Sequence, residues 1–158
     1  MKLRCHIALA LAALCLGGCG GHEEDDAILS VLHDARRAVL AGDGSAACRL
    51  LTTHGRRRAL AFGAELGAPG GAQAGSCEEL VRSQRALARR EPSSSWPDDL
   101  RDANLEVLSV SDGRAQAELR VQDLLGTAIR WRLQLLKTDS GWRIDDSNAI
   151  PVGGRGAP

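Results

Sequence analysis

Residues 105–123 read LEVLSVSDGRAQAELRVQD, and the way this stretch is read decides the fold. Leu105 to Val110 is a short leucine and valine run. Ser111-Asp112-Gly113 after it is a hairpin signal, because an Asp-Gly pair accepts the positive φ values of a tight turn. Beyond the turn the chain alternates: Ala115, Ala117, Leu119 and Val121 point one way, and Arg114, Gln116, Glu118 and Arg120 the other. A period of two is the mark of a half-buried strand. Toward the C-terminus, Gly126 marks the next turn. Ile129, Trp131, Leu133 and Leu135 then alternate against Arg130, Arg132 and Gln134. Thr138-Asp139-Ser140-Gly141 is another turn, and Trp142 and Ile144 open a last strand. Four short strands joined this way predict an antiparallel meander with one apolar face.

Toward the N-terminus the period becomes helical. Asp26 caps a predicted helix reaching about Ala41, with Ile28, Val31, Leu32, Ala35, Ala38 and Val39 spaced by three and four. Gly42-Asp43-Gly44 breaks it, and Ser45 caps a second helix through Leu51. Thr53-His54-Gly55 interrupts that one, and Arg56 to Leu66 forms a further helical piece. Residues 67–75, GAPGGAQAG, are a loop by composition. Ser76-Cys77-Glu78-Glu79 reads as a capping box, opening a helix on Leu80, Val81 and Leu87 that ends near Arg90, because Pro92 and the serines after it forbid continuation. The apolar face of the meander needs a cover, which only the helices can supply. The predicted fold class is therefore α+β, with three N-terminal helices packed on a curved antiparallel four-stranded meander. The domain spans 26–150, and 151–158 is a flexible tail.

Helices followed by a curved meander is an order that resembles the nuclear transport factor 2-like (cystatin-like, SnoaL-like) cone folds. KTDSGWRIDD (137–146) looks like the end of many exported members, and AACRLLT (46–52) with a later cysteine at a helix start is similar to small actinobacterial lipoproteins of that group. The family usually has a short hairpin between its second and third helices, where this chain has Gly/Ala-rich sequence that is poor strand material. The resemblance thus implies a cone less curved at that end. Members include isomerases, hydrolases, ligand carriers and inert partner-binding domains, so the likeness does not choose an activity.

The first residues have the layout of an export signal. Lys2 and Arg4 precede an apolar run from Cys5 to Leu16, about 12 residues where a span needs roughly 20. Residues 1–18 are read as a signal peptide. Leu16-Gly17-Gly18-Cys19 resembles the bacterial lipobox, which implies acyl chains, palmitate among them, on Cys19 as the mature N-terminus. The alternative is an ordinary secretory signal that contains cysteines. Two or more acyl chains suffice for a stable membrane anchor, and 19–25 becomes the lipidated cysteine and its tether. Of five cysteines, Cys5 and Cys15 leave with the signal and Cys19 carries lipid. Cys48 and Cys77 remain, and in an oxidising compartment they are expected to form a disulfide, with two buried free thiols as the alternative.

Without Lys2 and Arg4 the chain has 18 basic and 20 acidic residues, a net charge of −2, which gives no basis for nucleic-acid binding. Arg56-Arg57-Arg58 and Arg89-Arg90 have no interleaved aromatics and read as solvated helix faces. No metal site is expected, since no histidine stands at ligand spacing from a cysteine, and no cofactor is implied. The chain has no tyrosine, and its mature histidines are His22 in the tether, His33 at the rim of the first helix and His54 in a break. Weak catalytic candidates are His33, Asp123 and Asp146; the two acids continue the apolar parity of their strands, where an inward carboxyl needs a raised pKa or a strand that ends first. Arg36, inside the apolar arc of its helix, and Trp131 and Trp142, on core parity in neighbouring strands, are candidates for binding a ligand. The expectation is a membrane-anchored extracytoplasmic lipoprotein, a non-catalytic binding module for an apolar small molecule or an envelope protein. A small isomerase or hydrolase using an inward Asp is the rival.

Overall fold

A computed structural model describes residues 20–65, 74–90, 100–122 and 128–151. The first helix, α1 (Gly20–Ala41), is 22 residues long. It starts six residues before the expected cap at Asp26, so the stretch read as a tether forms its first turns. The acidic run from Glu23 to Asp26 favours this, because carboxylates near a helix N-terminus meet the positive end of its dipole. Gly42, at φ 74°, ends the helix. α2 (Gly44–Arg49) is capped by Asp43, whose side chain accepts a hydrogen bond from the Ala46 amide, and not by Ser45 as expected. α3 spans Thr53–Glu65, and α4 spans Cys77–Arg90. His54 and Gly55, expected to break a helix, lie in the first turn of α3; the break is at Leu50–Thr52. The helices therefore number four where three were expected. The capping box is present, with the Glu79 amide donating to Ser76 Oγ at 3.2 Å and the Glu79 carboxylate accepting from the Gly75 amide at 2.8 Å.

The strands are β1 (Asn104–Ser111), β2 (Arg114–Gln122), β3 (Ala128–Thr138) and β4 (Gly141–Pro151), in one antiparallel sheet of order β1-β2-β3-β4. This is the α+β meander read from the alternation. Asp112 at φ 49° and Gly113 at φ 71° make the two-residue turn between β1 and β2. Each edge strand carries one bulge, at Leu108 in β1 and at Asp145 in β4, and both lie next to the row Ser109–Gln116–Gln134–Asp146. A bulge inserts a residue without a partner and bends its strand.

The helices cover one face of the sheet. Ile28 and Leu32 of α1 pack with Ala115, Ala117, Leu135 and Trp142. Further along α1, Val39 and Leu40 meet Leu100, Ala103 and Val121. The helix thus runs the length of the sheet, with its N-terminus at the Trp142 end. A second cluster joins α1, α2 and α4 through Ala38, Ala47 and Val81 around the Cys48–Cys77 disulfide, whose Cα atoms are 6.1 Å apart. The edge of β4 is covered at Ile144 by Leu50–Thr52, through Thr52 amide to Ile144 carbonyl and Ile144 amide to Leu50 carbonyl bonds, both 2.9 Å. Gly55 follows at once, and a Cβ there would lie 2.5 Å from the Ile144 carbonyl oxygen, so α3 approaches β4 this closely only with glycine. The signal peptide, Cys19, the Gly/Ala-rich stretch 66–73, the turn at Gly126 and the tail 152–158 lie outside the described residues.

Candidate functional site: a groove between the first helix and the edge of the sheet

A groove of about 820 Å³ opens where the first turns of α1 pass the bulged part of β1, a size within the range of small-molecule sites. Its floor is apolar, made of Val107, Leu108, Val110 and Trp142. Leu108 is 40% exposed and is the exposed large hydrophobic side chain among the described residues. The bulge accounts for it. Without the extra residue, strict alternation would carry one outward position between Val107 and the next inward residue; with it, both Leu108 and Ser109 are exposed. One wall is acidic, formed by Glu23, Glu24 and Asp25. Opposite, Lys137 Nζ donates to Glu24 Oε1 at 2.6 Å and lies 5.8 Å from the centroid of the Trp142 ring.

The residues singled out in the sequence are placed as follows. Trp142 floors the groove, but Trp131 belongs to the other end of the sheet, where Phe62 of α3 meets its ring edge-on at 5.1 Å between centroids. The two tryptophans do not share a pocket floor, because they stand on strands offset along their length. Arg36 is committed within the fold: Nη1 donates to the Ala103 carbonyl at 3.0 Å and Nη2 to His33 Nδ1 at 3.0 Å. His33 itself is exposed on α1 and His22 is exposed near its start. Asp123 and Cys19 lie outside the described residues.

Asp146 corrects an expectation. Counting by twos from Trp142 and Ile144 puts it on the apolar face, but the bulge at Asp145 reverses the parity, and Asp146 pairs with Gln134 on the opposite face. Its carboxylate accepts from Arg58 Nε at 3.2 Å. The bulged Asp145, not singled out in the sequence, takes a hydrogen bond from Thr52 Oγ1 at 2.5 Å, and His54 Nδ1 stands 3.0 Å from its carbonyl oxygen. Thr52 Oγ1 also accepts from the Gly55 amide at 2.9 Å. These groups close the N-terminus of α3 onto β4, a structural joint whose hydrogen-bonding capacity is spent within the fold.

On the uncovered face of the sheet, Glu118 is the buried charged residue among the described residues, at 4% exposure. Arg120 Nε donates to it at 2.6 Å and also reaches Glu106 through Nη2 at 2.9 Å, while Arg132 lies 4.0 Å away. The hydrogen bond from Arg120 holds the Glu118 carboxyl below the usual carboxylate range; burial opposes it, and the charges of Arg120, Arg130 and Arg132 add to it. Among the described residues no group of three or more metal-ligating side chains occurs, and no helix is long and apolar enough to cross a membrane.

Scans of the sequence against family profiles and against curated proteins returned no match. Solved structures do resemble it. A protein of the NTF2-like family from Streptomyces avermitilis, named as a candidate dehydratase, is 16% identical with a TM-score of 0.47, covering 84% of this chain and 99% of its own. An NTF2-like protein with a cystatin-like fold from Novosphingobium aromaticivorans is 14% identical with a TM-score of 0.48, covering 84% of each chain. A cystatin-like fold protein from Caulobacter vibrioides is 12% identical with a TM-score of 0.45, over 84% of this chain and 92% of its own.

Proposed function

We propose that this chain is an extracytoplasmic lipoprotein, held at a bacterial membrane by lipid on Cys19, whose NTF2-like domain is a non-catalytic binding module for an apolar small molecule or an envelope protein. The observation that carries the reading is the groove: an apolar floor with a charged rim, set beside the first turns of α1. Cys19 is bonded directly to Gly20, where α1 begins, and adjacent Cα atoms are about 3.8 Å apart. An anchor there keeps the groove near the membrane surface, so the module meets ligands that reside in or cross that interface. The carboxylates near the sheet edge are engaged by Arg58, Thr52 and His54, which favours binding over acid–base chemistry.

Two measurements test the two halves of this reading. In a bacterial host, Cys19→Ser is expected to move the protein from the membrane to the soluble fraction; unchanged membrane fractionation would remove the anchor from the proposal. A native mass spectrum of the exported, unlipidated protein is expected to show added mass that is lost on denaturation. Bare protein mass throughout would count against a carried small molecule and in favour of a protein partner.

A further inference from the structure

Resting on the groove as the binding site, we infer that it selects a cationic amphiphile, a ligand with an ammonium head and an apolar chain. The floor of Val107, Leu108, Val110 and Trp142 presents apolar surface that water now covers at Leu108, and an alkyl chain laid there removes it from water. The head group is assigned by charge. Three carboxylates, Glu23, Glu24 and Asp25, face a single cation in the groove, Lys137. Lys137 is committed to Glu24, and among the described residues neither Glu23 nor Asp25 has an ion-pair partner. An anionic head would be repelled there, and a neutral one would gain nothing from the wall.

Lys137 also shows how an ammonium is held. Its Nζ stands between a carboxylate oxygen at 2.6 Å and the Trp142 ring at 5.8 Å. A carboxylate on one side and an aromatic face on the other is the combination that recognises ammonium ligands in general. The acids do serve the helix dipole, but that effect fades beyond the first turn, and it does not require an apolar floor beside them. The ligand's ammonium is placed against Glu23 and Asp25, with its chain running over Leu108 toward Trp142.

The test is calorimetric titration of the full chain carrying Cys19→Ser with decyltrimethylammonium, decyl sulfate and decyl maltoside, each below its micelle-forming concentration. Decyltrimethylammonium is expected to bind about ten-fold more tightly than the other two. The double variant Glu23→Gln, Asp25→Asn should lose most of that preference while keeping the far-UV circular dichroism of the parent, and added salt should weaken binding of the cation alone. Leu108→Ser should weaken all three. Equal binding of the three chains, still sensitive to Leu108→Ser, would overturn cation selectivity and leave the groove as an apolar site. Binding of none of them would overturn the groove reading itself as far as small molecules are concerned. Capture of an oligolysine peptide without decyltrimethylammonium would overturn the amphiphile in favour of a basic protein segment.

Discussion

Glu118 shows how far a single side chain can depart from its pattern while keeping its place in it. The alternation puts it on the polar face, and it is there, yet its carboxylate is covered by arginine side chains. The cover is one layer deep on an open sheet face, so water remains close and the interaction is screened. The pKa of the carboxyl is lower in the folded protein than its ordinary 4.5. Its contribution to stability is therefore complete above the ordinary value and disappears as pH falls through the lower, folded value. Glu118→Gln is expected to reduce the folding equilibrium constant by a factor of roughly two to five at pH 7. Urea denaturation at a series of pH values should show that difference shrinking below pH 4.5; a constant difference down to pH 2 would show that the carboxylate's charge is not the cause. Asp146 teaches the opposite lesson. Its residue type was legible as a candidate acid, but its side of the sheet was not, because one unpartnered neighbour, Asp145, inverts the count.

At the scale of elements, the joint between α3 and β4 is the tightest non-covalent contact described. Thr52, Asp145, His54 and Gly55 meet there, and the backbone of Gly55 lies against the Ile144 carbonyl. A methyl group at Gly55 has only backbone to push against, so the helix must lift or the strand must shift. Gly55→Ala should cost about 1–3 kcal/mol, measured as a lower denaturation midpoint with an unchanged dependence on denaturant. A neutral result would mean that α3 can slide along β4 freely. The sequence marks Thr53-His54-Gly55 as a break because histidine and glycine are weak helix formers. The tertiary contact outweighs that weakness: Gly55 is where it is for its size, and the bonds to β4 supply what local propensity lacks. The same override extends α1 back to Gly20.

For the whole molecule, the helices are held to one another by little apolar surface beyond small side chains, Ala38, Ala47 and Val81, around the disulfide. The Cys48–Cys77 bond closes a loop with a sequence separation of 29. In the chain-entropy account such a loop contributes about 3.5 kcal/mol by restricting the unfolded chain. The double variant Cys48→Ala, Cys77→Ala should lose roughly that much stability, and reducing agent should lower the thermal midpoint of the parent while leaving the variant unmoved. If the parent is insensitive to reductant under denaturing conditions, the cysteines are not bonded in the protein as made. A lipoprotein confined to an oxidising compartment would draw on this bond to hold α2 and α4 together where the core is thin.

What the sequence by itself determined is what short-range periodicity encodes. The alternation of Ala115 to Val121, the Asp-Gly turn, the Ser76 capping box and the cysteine count specify four strands, their order, the last helix and the disulfide. Each of these depends on residues within a few positions, or on a count. The tertiary structure alone decided the bulges at Leu108 and Asp145, the α3–β4 joint and the groove. A bulge has no local signature, since it depends on which partner residues the neighbouring strand offers. The groove depends on Glu24 meeting Lys137, 113 positions away in the chain, and on α1 crossing the sheet so that its acidic first turns arrive beside an exposed leucine. Those meetings are consequences of packing, and no window of sequence contains both partners.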